Sequence, residues 1–351
     1  MIQIDKHKIK EESLIKEALS QLNGLTYIEH APLVLLVVND KDVLVGTVTD
    51  GDIRRALMSG LALDAAVKGC MKKDFHFLRE GKYGVSELND LKNKKIWSVP
   101  LIDGEGCVID IFDLKLKKSI LPVDAVIMAG GRGERLYPLT KHIPKPMLKV
   151  GAKPILEINV DRLIGFGVKN INISVNYLSE KIVAHFGELE KDCKLTFVKE
   201  NEPLGTIGSI RLIDHFENDY VLLLNSDLLT DIDFEDLLSE LVKNKADMIV
   251  ASVPYRISVP YAIFETKGKE IKGLSEKPTY TYHSNGGIYL FKKDLLKYIP
   301  DNSFYNATDL LQVLIDANYK VMYYDMIGYW LDIGSPEDFE KAQSDIVNLK
   351  L

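Results

Sequence analysis

A chain of 351 residues, 46% hydrophobic and 27% charged, has the proportions of a globular protein with room for two or three domains. A net charge of −7 argues against a nucleic-acid surface, and three scattered cysteines, Cys70, Cys107 and Cys193, argue against a disulfide framework or a zinc site. The polar amino terminus lacks a signal-like apolar core and no apolar run approaches a membrane span, so a cytoplasmic protein without a membrane partner is expected.

Residues 1 to about 120 carry a weak internal repeat. Val34–Val38, a polar turn, then Val43–Val48 reads as strand, turn, strand; Ser98–Ile102, Asp103–Gly106, then Cys107–Ile111 reads the same way, with Val38 aligned to Ile102. A helix-like stretch precedes each hairpin, Glu12–Leu22 in the first copy and Val85–Lys92 in the second. Thr49-Asp50-Gly51-Asp52 then places polar oxygens at the start of a helix over Ile53–Met58. This half resembles a pair of CBS modules, small tandem domains that commonly bind adenine nucleotides. The resemblance rests on GTVTDGDIRRAL. It implies a ligand site at Thr49 and Asp52, where Asp52 would accept ribose hydroxyls and the helix start would hold phosphate. The alternative is that both residues only cap the helix. In the second copy Leu116 stands at the position of Asp52, so at most one ligand site is expected.

A charged stretch meeting Pro122, within Lys115–Val123, marks the join between a first domain, 1–120, and a second, 121–351. It is short and poor in Gly and Ser, unlike a flexible tether.

The second domain opens with Val126-Ile127-Met128-Ala129, an apolar run of the kind that forms a buried parallel strand. Gly130, Gly131 and Gly133 follow, with Arg135 and Lys145 in the same loop. Glycines admit a bulky anion, successive N–H groups form a concavity for it, and the two cations match its charge. The loop therefore reads as a nucleoside triphosphate grip. It is neither a Walker A loop nor a dinucleotide fingerprint, since Leu136 stands where the third glycine would be. A short glycine motif also occurs as a plain turn; the long pattern GGRGERLYPLT…PKPMLKVGAKPILE is far more specific.

Strands and helices then alternate. Helix Ile155–Phe166, strand Ile171–Val175, helix Glu180–Phe186, strand Leu195–Val198, helix Ile207–Phe216 and strand Val221–Leu224 predict a mainly parallel, doubly wound α/β sheet. Ligands on such sheets bind beyond the strand C-terminal ends, where the glycine loop lies. Asp227 closes the strand Val221–Leu224 and Asp332 sits in WLDIGSP near another strand-to-helix junction; each could bind magnesium beside phosphates or merely cap a helix. Gly205 and Gly208, in ENEPLGTIGS, would let the backbone pass close to a flat ring. Taken alone, Glu276-Lys277-Pro278 reads as an exposed turn.

Taken in order, these segments resemble the sugar-1-phosphate nucleotidyltransferases over about 121–351. The resemblance implies the GT-A-like nucleotidyltransferase fold, a mixed sheet, with Mg2+ held by Asp227 and Asp332. It assigns nucleotide binding to Ala129, Gly130, Gly131, Gly133, Glu200 and Gly205. It assigns sugar-phosphate binding to Glu276, Lys277, Asn285, Gly287 and Tyr261. Departures from the family pattern are Glu134 for Thr, Ser226 for Gly and Ala262 for Gly. The reaction implied is attack of a sugar-1-phosphate oxygen on the α-phosphorus of a nucleoside triphosphate, with Arg135 on the leaving pyrophosphate and Lys145 on the α-phosphoryl group. Two carboxylates sharing one site repel, so neither Asp→Asn variant should be less stable without metal. E-x-E-P-L-G-T looks most like the guanylyltransferase branch, since a carboxylate such as Glu200 can accept both donors of guanine. The expected donor is GTP, with UTP or dTTP the alternative, and the acceptor mannose 1-phosphate or, by likeness to CBS-linked enzymes of nonulosonate-sugar pathways, glucosamine 1-phosphate. From another class, the chain could be a nucleotide-sensing regulator that has lost catalysis. Expected partners are the triphosphate, the sugar 1-phosphate, an adenine nucleotide at the CBS pair and further copies of the chain.

Overall fold

A computed structural model describes residues 4–28, 31–80, 83, 85–114 and 121–349. The chain divides into two compact units, Met1–Ile120 and Leu121–Leu351.

The smaller unit repeats one arrangement. Lys8–Lys10 pairs in parallel with Leu35–Val38, which pairs antiparallel with Leu44–Val48; helix Ile15–Leu25 joins the first two. Leu78–Arg79, helix Val85–Asn93, Ser98–Ile102 and Val108–Asp113 repeat it. Both hairpins shift register at the same place, between Val37 and Val38 and between Leu101 and Ile102. The first helix starts later than its apolar spacing predicts, because the Leu14 N–H is capped by the Glu17 carboxylate at 2.9 Å. Leu116 and most of the Lys115–Val123 join lie outside the described residues.

The larger unit is built on seven strands. Their order across the sheet is Lys194–Lys199, Asn170–Val175, Val123–Ala129, Tyr220–Asn225, Thr279–Lys292, Met248–Ser258 and Val321–Asp325. The first four run parallel; Thr279–Lys292 runs antiparallel to both neighbours, so the sheet is mixed. Val123–Ala129 lies within the parallel part and is buried on both faces, which its continuous apolar sequence requires. Val126, Val221, Leu223, Tyr289 and Phe291 form one core with Leu310 and Leu314 of helix Ala307–Asp316. Helix Phe234–Lys243 packs on Met248–Ser258 and Thr279–Lys292. Among the described residues no helix is long and apolar enough to cross a membrane.

The helix predicted over Ile207–Phe216 is not formed. Only a five-residue 3-10 turn, Gly208–Leu212, stands there. The segment spends its backbone groups on a neighbour: the N–H groups of Ile207 and Gly208 both donate to Tyr305 O at 3.2 Å, and Tyr305 N–H donates to Leu204 O at 3.0 Å. Ile207, Ile210 and Phe216 still reach the core, so their helical spacing reported burial correctly and conformation wrongly.

Asp124 ties the N-terminal ends of three strands together. It is 1% exposed and accepts from Asn170 Nδ2 at 3.0 Å, Asn218 N at 2.8 Å and Asn218 Nδ2 at 3.0 Å. Asp124→Ala strands these donors, and unpaired buried donors cost about 1–3 kcal/mol. A urea unfolding curve is expected to show a loss of about that size; an unchanged midpoint would contradict it.

Candidate active site

The glycine loop leaves the sheet at the C-terminal end of Val123–Ala129. A Cβ on Gly130 would stand 2.9 Å from Glu200 Oε1 and 3.3 Å from Asn176 Cβ; on Gly133, where φ is +65°, it would stand 2.9 Å from Lys145 Cβ. Both positions need glycine for close packing. Gly131 meets nothing within 4 Å and leaves its backbone open. The Thr140 hydroxyl closes the loop by donating to Gly133 O at 2.8 Å. Lys145 is only 8% exposed, held in a short turn, Lys145–Met147.

Two distant aspartates meet here. Leu228–Thr230 pairs antiparallel with Trp330–Asp332, setting Leu228 opposite Asp332, and Ile333 N–H donates to Asp227 O at 3.1 Å. Asn159, in helix Ile155–Gly165, donates from Nδ2 to Leu228 O at 3.0 Å and to Ser226 O at 3.5 Å, clasping the backbone on both sides of Asp227. Sequence reasoning missed Asn159; its signal was a lone amide inside the apolar run ILEINV. Lys145 Nζ is ion-paired with Asp227 Oδ2 and lies 3.9 Å from Asp332 Oδ1. Burial, then the charge of Asp227, pushes the Asp332 carboxyl above its ordinary pKa, against the pull of Lys145 and Arg135. The Arg135 guanidinium lies beside Gly334, 3.3 Å from where a Cβ would be. Asp227 Oδ1 and Asp332 Oδ1 are buried without a hydrogen-bond partner. Two hard carboxylates, each with an unsatisfied buried oxygen, fit magnesium, which takes one or two carboxylates beside substrate phosphates.

A cavity of about 300 Å³ is lined by Gly130, Gly131, Lys145, Glu200, Gly205, Asp227 and neighbours. Glu200 is 5% exposed and already engaged: the Ser174 hydroxyl donates to Oε1 and Leu204 N–H to Oε2 at 3.0 Å. Gly205 and Gly208 are demanded by the chain itself. A Cβ on either would stand 2.5 Å from Tyr305 O or 2.4 Å from Ser303 O, so this packing alone requires glycine at both positions.

The sugar-phosphate candidates divide. Gly287, at φ +72°, faces Asn225, which lines the cavity, and a Cβ there would stand 2.7 Å from its Nδ2. Asn285 accepts from Gly287 N–H at 2.9 Å and donates to Tyr289 Oη at 2.6 Å. Glu276, Lys277 and Tyr261, the last 74% exposed, stand on outer strands and loops and do not line this cavity.

The pattern of the "Nucleotidyl transferase" family matches residues 124–348 and that of the "CBS domain" residues 5–59. The chain belongs to the nucleotidyl transferase family. It is 31% identical over 235 residues to a mannose-1-phosphate guanylyltransferase of Mycobacterium tuberculosis, covering 64% of this chain and 65% of that one. It is 33% identical to the bifunctional protein GlmU of Methanococcus aeolicus, covering 65% and 56% respectively. The chain thus spans less than two thirds of the length of these curated relatives. HddC from Yersinia pseudotuberculosis, crystallised with GMP-PN, aligns with a TM-score of 0.51 at 26% identity, over 64% of this chain and 99% of that one. A putative glucose-1-phosphate thymidylyltransferase from Bacillus anthracis shares the fold, with a TM-score of 0.53 at 22% identity over 65% of this chain and 97% of its own.

In the CBS unit, Thr49 and Asp52 form a capping box. Thr49 N–H and Oγ1 donate to Asp52 Oδ2 at 2.9 and 2.6 Å, and Asp52 N–H returns a bond to Thr49 Oγ1 at 3.3 Å. Burial works to raise the Asp52 pKa, but the Thr49 donors and Arg55 hold it below the ordinary value. The same two residues line a cavity of about 350 Å³ with Lys72, Phe75 and His76.

The Lys145 pairing revises the expectation that neither aspartate variant loses stability. Asp227→Asn leaves Lys145 buried without its main partner, which is expected to cost about 3 kcal/mol. Asp332→Asn removes a carboxylate that burial already disfavours and should leave stability unchanged or raised. Thermal melts in a chelator check this; equal losses in both variants would overturn it.

Proposed function

We propose that the larger unit transfers a nucleotidyl group from GTP to a sugar 1-phosphate, releasing pyrophosphate. The observation that carries this reading is the gathering of Lys145, Asp227 and Asp332 around the glycine loop at the ends of parallel strands. A regulator without catalysis has no need of a buried lysine set between two carboxylates.

The attacking phosphate oxygen is already anionic, so no side-chain nucleophile or base is needed. It forms a bond to the α-phosphorus as the bond to the pyrophosphate oxygen breaks. The Gly130–Gly131 backbone receives the triphosphate, Lys145 neutralises charge gathering on the α-phosphoryl group, and Arg135 holds the departing pyrophosphate. Magnesium, when bound by Asp227 and Asp332, supplies further neutralisation of the phosphates. Glu200 keeps a second acceptor position on each oxygen while holding Ser174 and Leu204, which suits the two adjacent donors of guanine. The guanylyltransferase relative and the GMP-PN complex of HddC support GTP. Mannose 1-phosphate and glucosamine 1-phosphate are the acceptors to test, with Glu276, Lys277, Asn285, Gly287 and Tyr261 as candidate contacts to them. Such substrates place the protein in the cytoplasm.

Pyrophosphate release is to be measured with GTP, UTP, dTTP, CTP and ATP against both acceptors. Wild type should prefer GTP, and Lys145→Ala should lower kcat by about 10²-fold, the scale of losing one electrostatic donor. A preference for UTP or dTTP, or an effect of Lys145→Ala on KM alone, would overturn the corresponding assignment. No release with any pair would favour the regulator.

For the smaller unit we propose that the cavity beside Thr49 and Asp52 takes an adenine nucleotide and alters the transferase rate. Its apolar wall, including Leu36 and Ile111, suits a base, and Lys72 suits phosphate. Calorimetric titration of the full chain with AMP and ADP should give binding that Asp52→Ala abolishes. Heat that persists in the variant would leave Asp52 as a helix cap only.

A further inference from the structure

A cavity of about 440 Å³ in the transferase unit is lined by none of the glycine-loop residues. Strand register explains how it arises. Asp124, Asn170 and Lys194 stand side by side on one face of the sheet; the next row is Val126, Asn172 and Thr196, and the next Met128, Ser174 and Val198. Toward the sheet centre this face is apolar and covered by helix Ala307–Asp316. Toward the edge it turns polar, and the segment predicted to cover it as a helix is the short turn Gly208–Leu212 followed by an irregular run. The cavity occupies the uncovered face.

Its floor holds an unmet donor and acceptor. Asn172 is 7% exposed and lines the cavity, yet its carboxamide has no hydrogen-bond partner among the described residues. Its neighbours are spoken for: Asn170 donates to Asp124, and Ser174 to Glu200. The Asn172 amide atoms are not sealed in the interior but open onto the cavity, where they offer a donor and an acceptor to whatever fills it. The rim is mixed in sign, with Lys194 3.8 Å from Glu217 and with Lys199, His215 and Asp214 also in the lining, so it selects neither an anion nor a cation. A carboxamide and the Thr196 hydroxyl each donate and accept, as sugar hydroxyls do. The adjacent Ile213 offers an apolar surface for ring C–H groups. The volume lies in the usual range for small-molecule sites.

We propose that this cavity is an effector site for a neutral sugar ring, held at Asn172 and Thr196. It adjoins the transferase site: strand Lys194–Lys199 runs directly into Glu200, and Ser174, two residues beyond Asn172 on the same face of strand Asn170–Val175, holds the Glu200 carboxylate. A sugar bound here shifts the loop that closes the nucleotide cavity. Binding is independent of the transferase reading; only the effect on rate rests on it.

Saturation-transfer NMR on the full chain, with mannose, N-acetylglucosamine, glucose and maltose as probes, tests binding without requiring activity. At least one sugar should give signal in wild type and in Lys145→Ala. That signal should weaken about tenfold, as for one lost hydrogen-bonded contact, in Asn172→Leu and in the isosteric Asn172→Asp. Circular dichroism shows whether each variant folds, and Thr196→Val serves if neither Asn172 variant does. Silence from every sugar overturns the proposal. So does signal that survives the Asn172 and Thr196 changes but is displaced by mannose 1-phosphate, which would place the sugar in the transferase site. The bound sugar should also move the KM for the triphosphate in wild type and leave it fixed in the Asn172 variants. An unmoved KM in wild type overturns the effector role.

Discussion

The pairing of Leu228 with Asp332 is the constraint on which the site depends. It joins two chain segments far apart in sequence and brings two carboxylates into one partly buried space. Like charges so placed repel, and burial deepens the penalty. Lys145, nearly buried between them, offsets it. Two carboxylate oxygens have no hydrogen-bond donor, and one amine answers to both acids. On the proposed reading, preset charge of this kind suits phosphates, because little has to reorganise when they arrive.

Rigidity around that centre comes from hydrogen bonds within the protein. Asn159 clasps the backbone around Asp227 from an otherwise apolar helix, and Thr140 locks the loop through Gly133 O. Glu200 ties Ser174 to Leu204 and so sets one wall of the cavity at the glycine loop. Close packing of the protein against itself requires glycine at Gly130, Gly133, Gly205 and Gly208, whereas a Cβ at Gly131 would meet nothing.

The smaller unit uses the same economy. Its repeat extends to matching register shifts in the two hairpins, and its one legible ligand motif doubles as a capping box. Capping and ligand binding are compatible, since a carboxylate oxygen that accepts from Thr49 retains a second acceptor position.

Local features were readable from the sequence alone. The alternation of apolar runs and helical spacing determined a mainly parallel sheet, because period is set by neighbouring residues. The glycine loop with Arg135 and Lys145, and the hairpin repeat with Thr49 and Asp52 beside it, were visible for the same reason. What depended on distant contacts was not. Ile207–Phe216 has helical spacing, but its N–H groups are claimed by Tyr305, which only the fold brings near. Glu200 was legible as a carboxylate in a glycine-containing loop; that Ser174 and Leu204 already occupy it depends on strand register. The meeting of Asp227, Asp332 and Lys145, and the cavity over Asn172, likewise exist only once separate strands have paired. Hydrogen bonds and ion pairs act over a few ångströms, so their partners are decided by tertiary structure wherever the chain must return to itself.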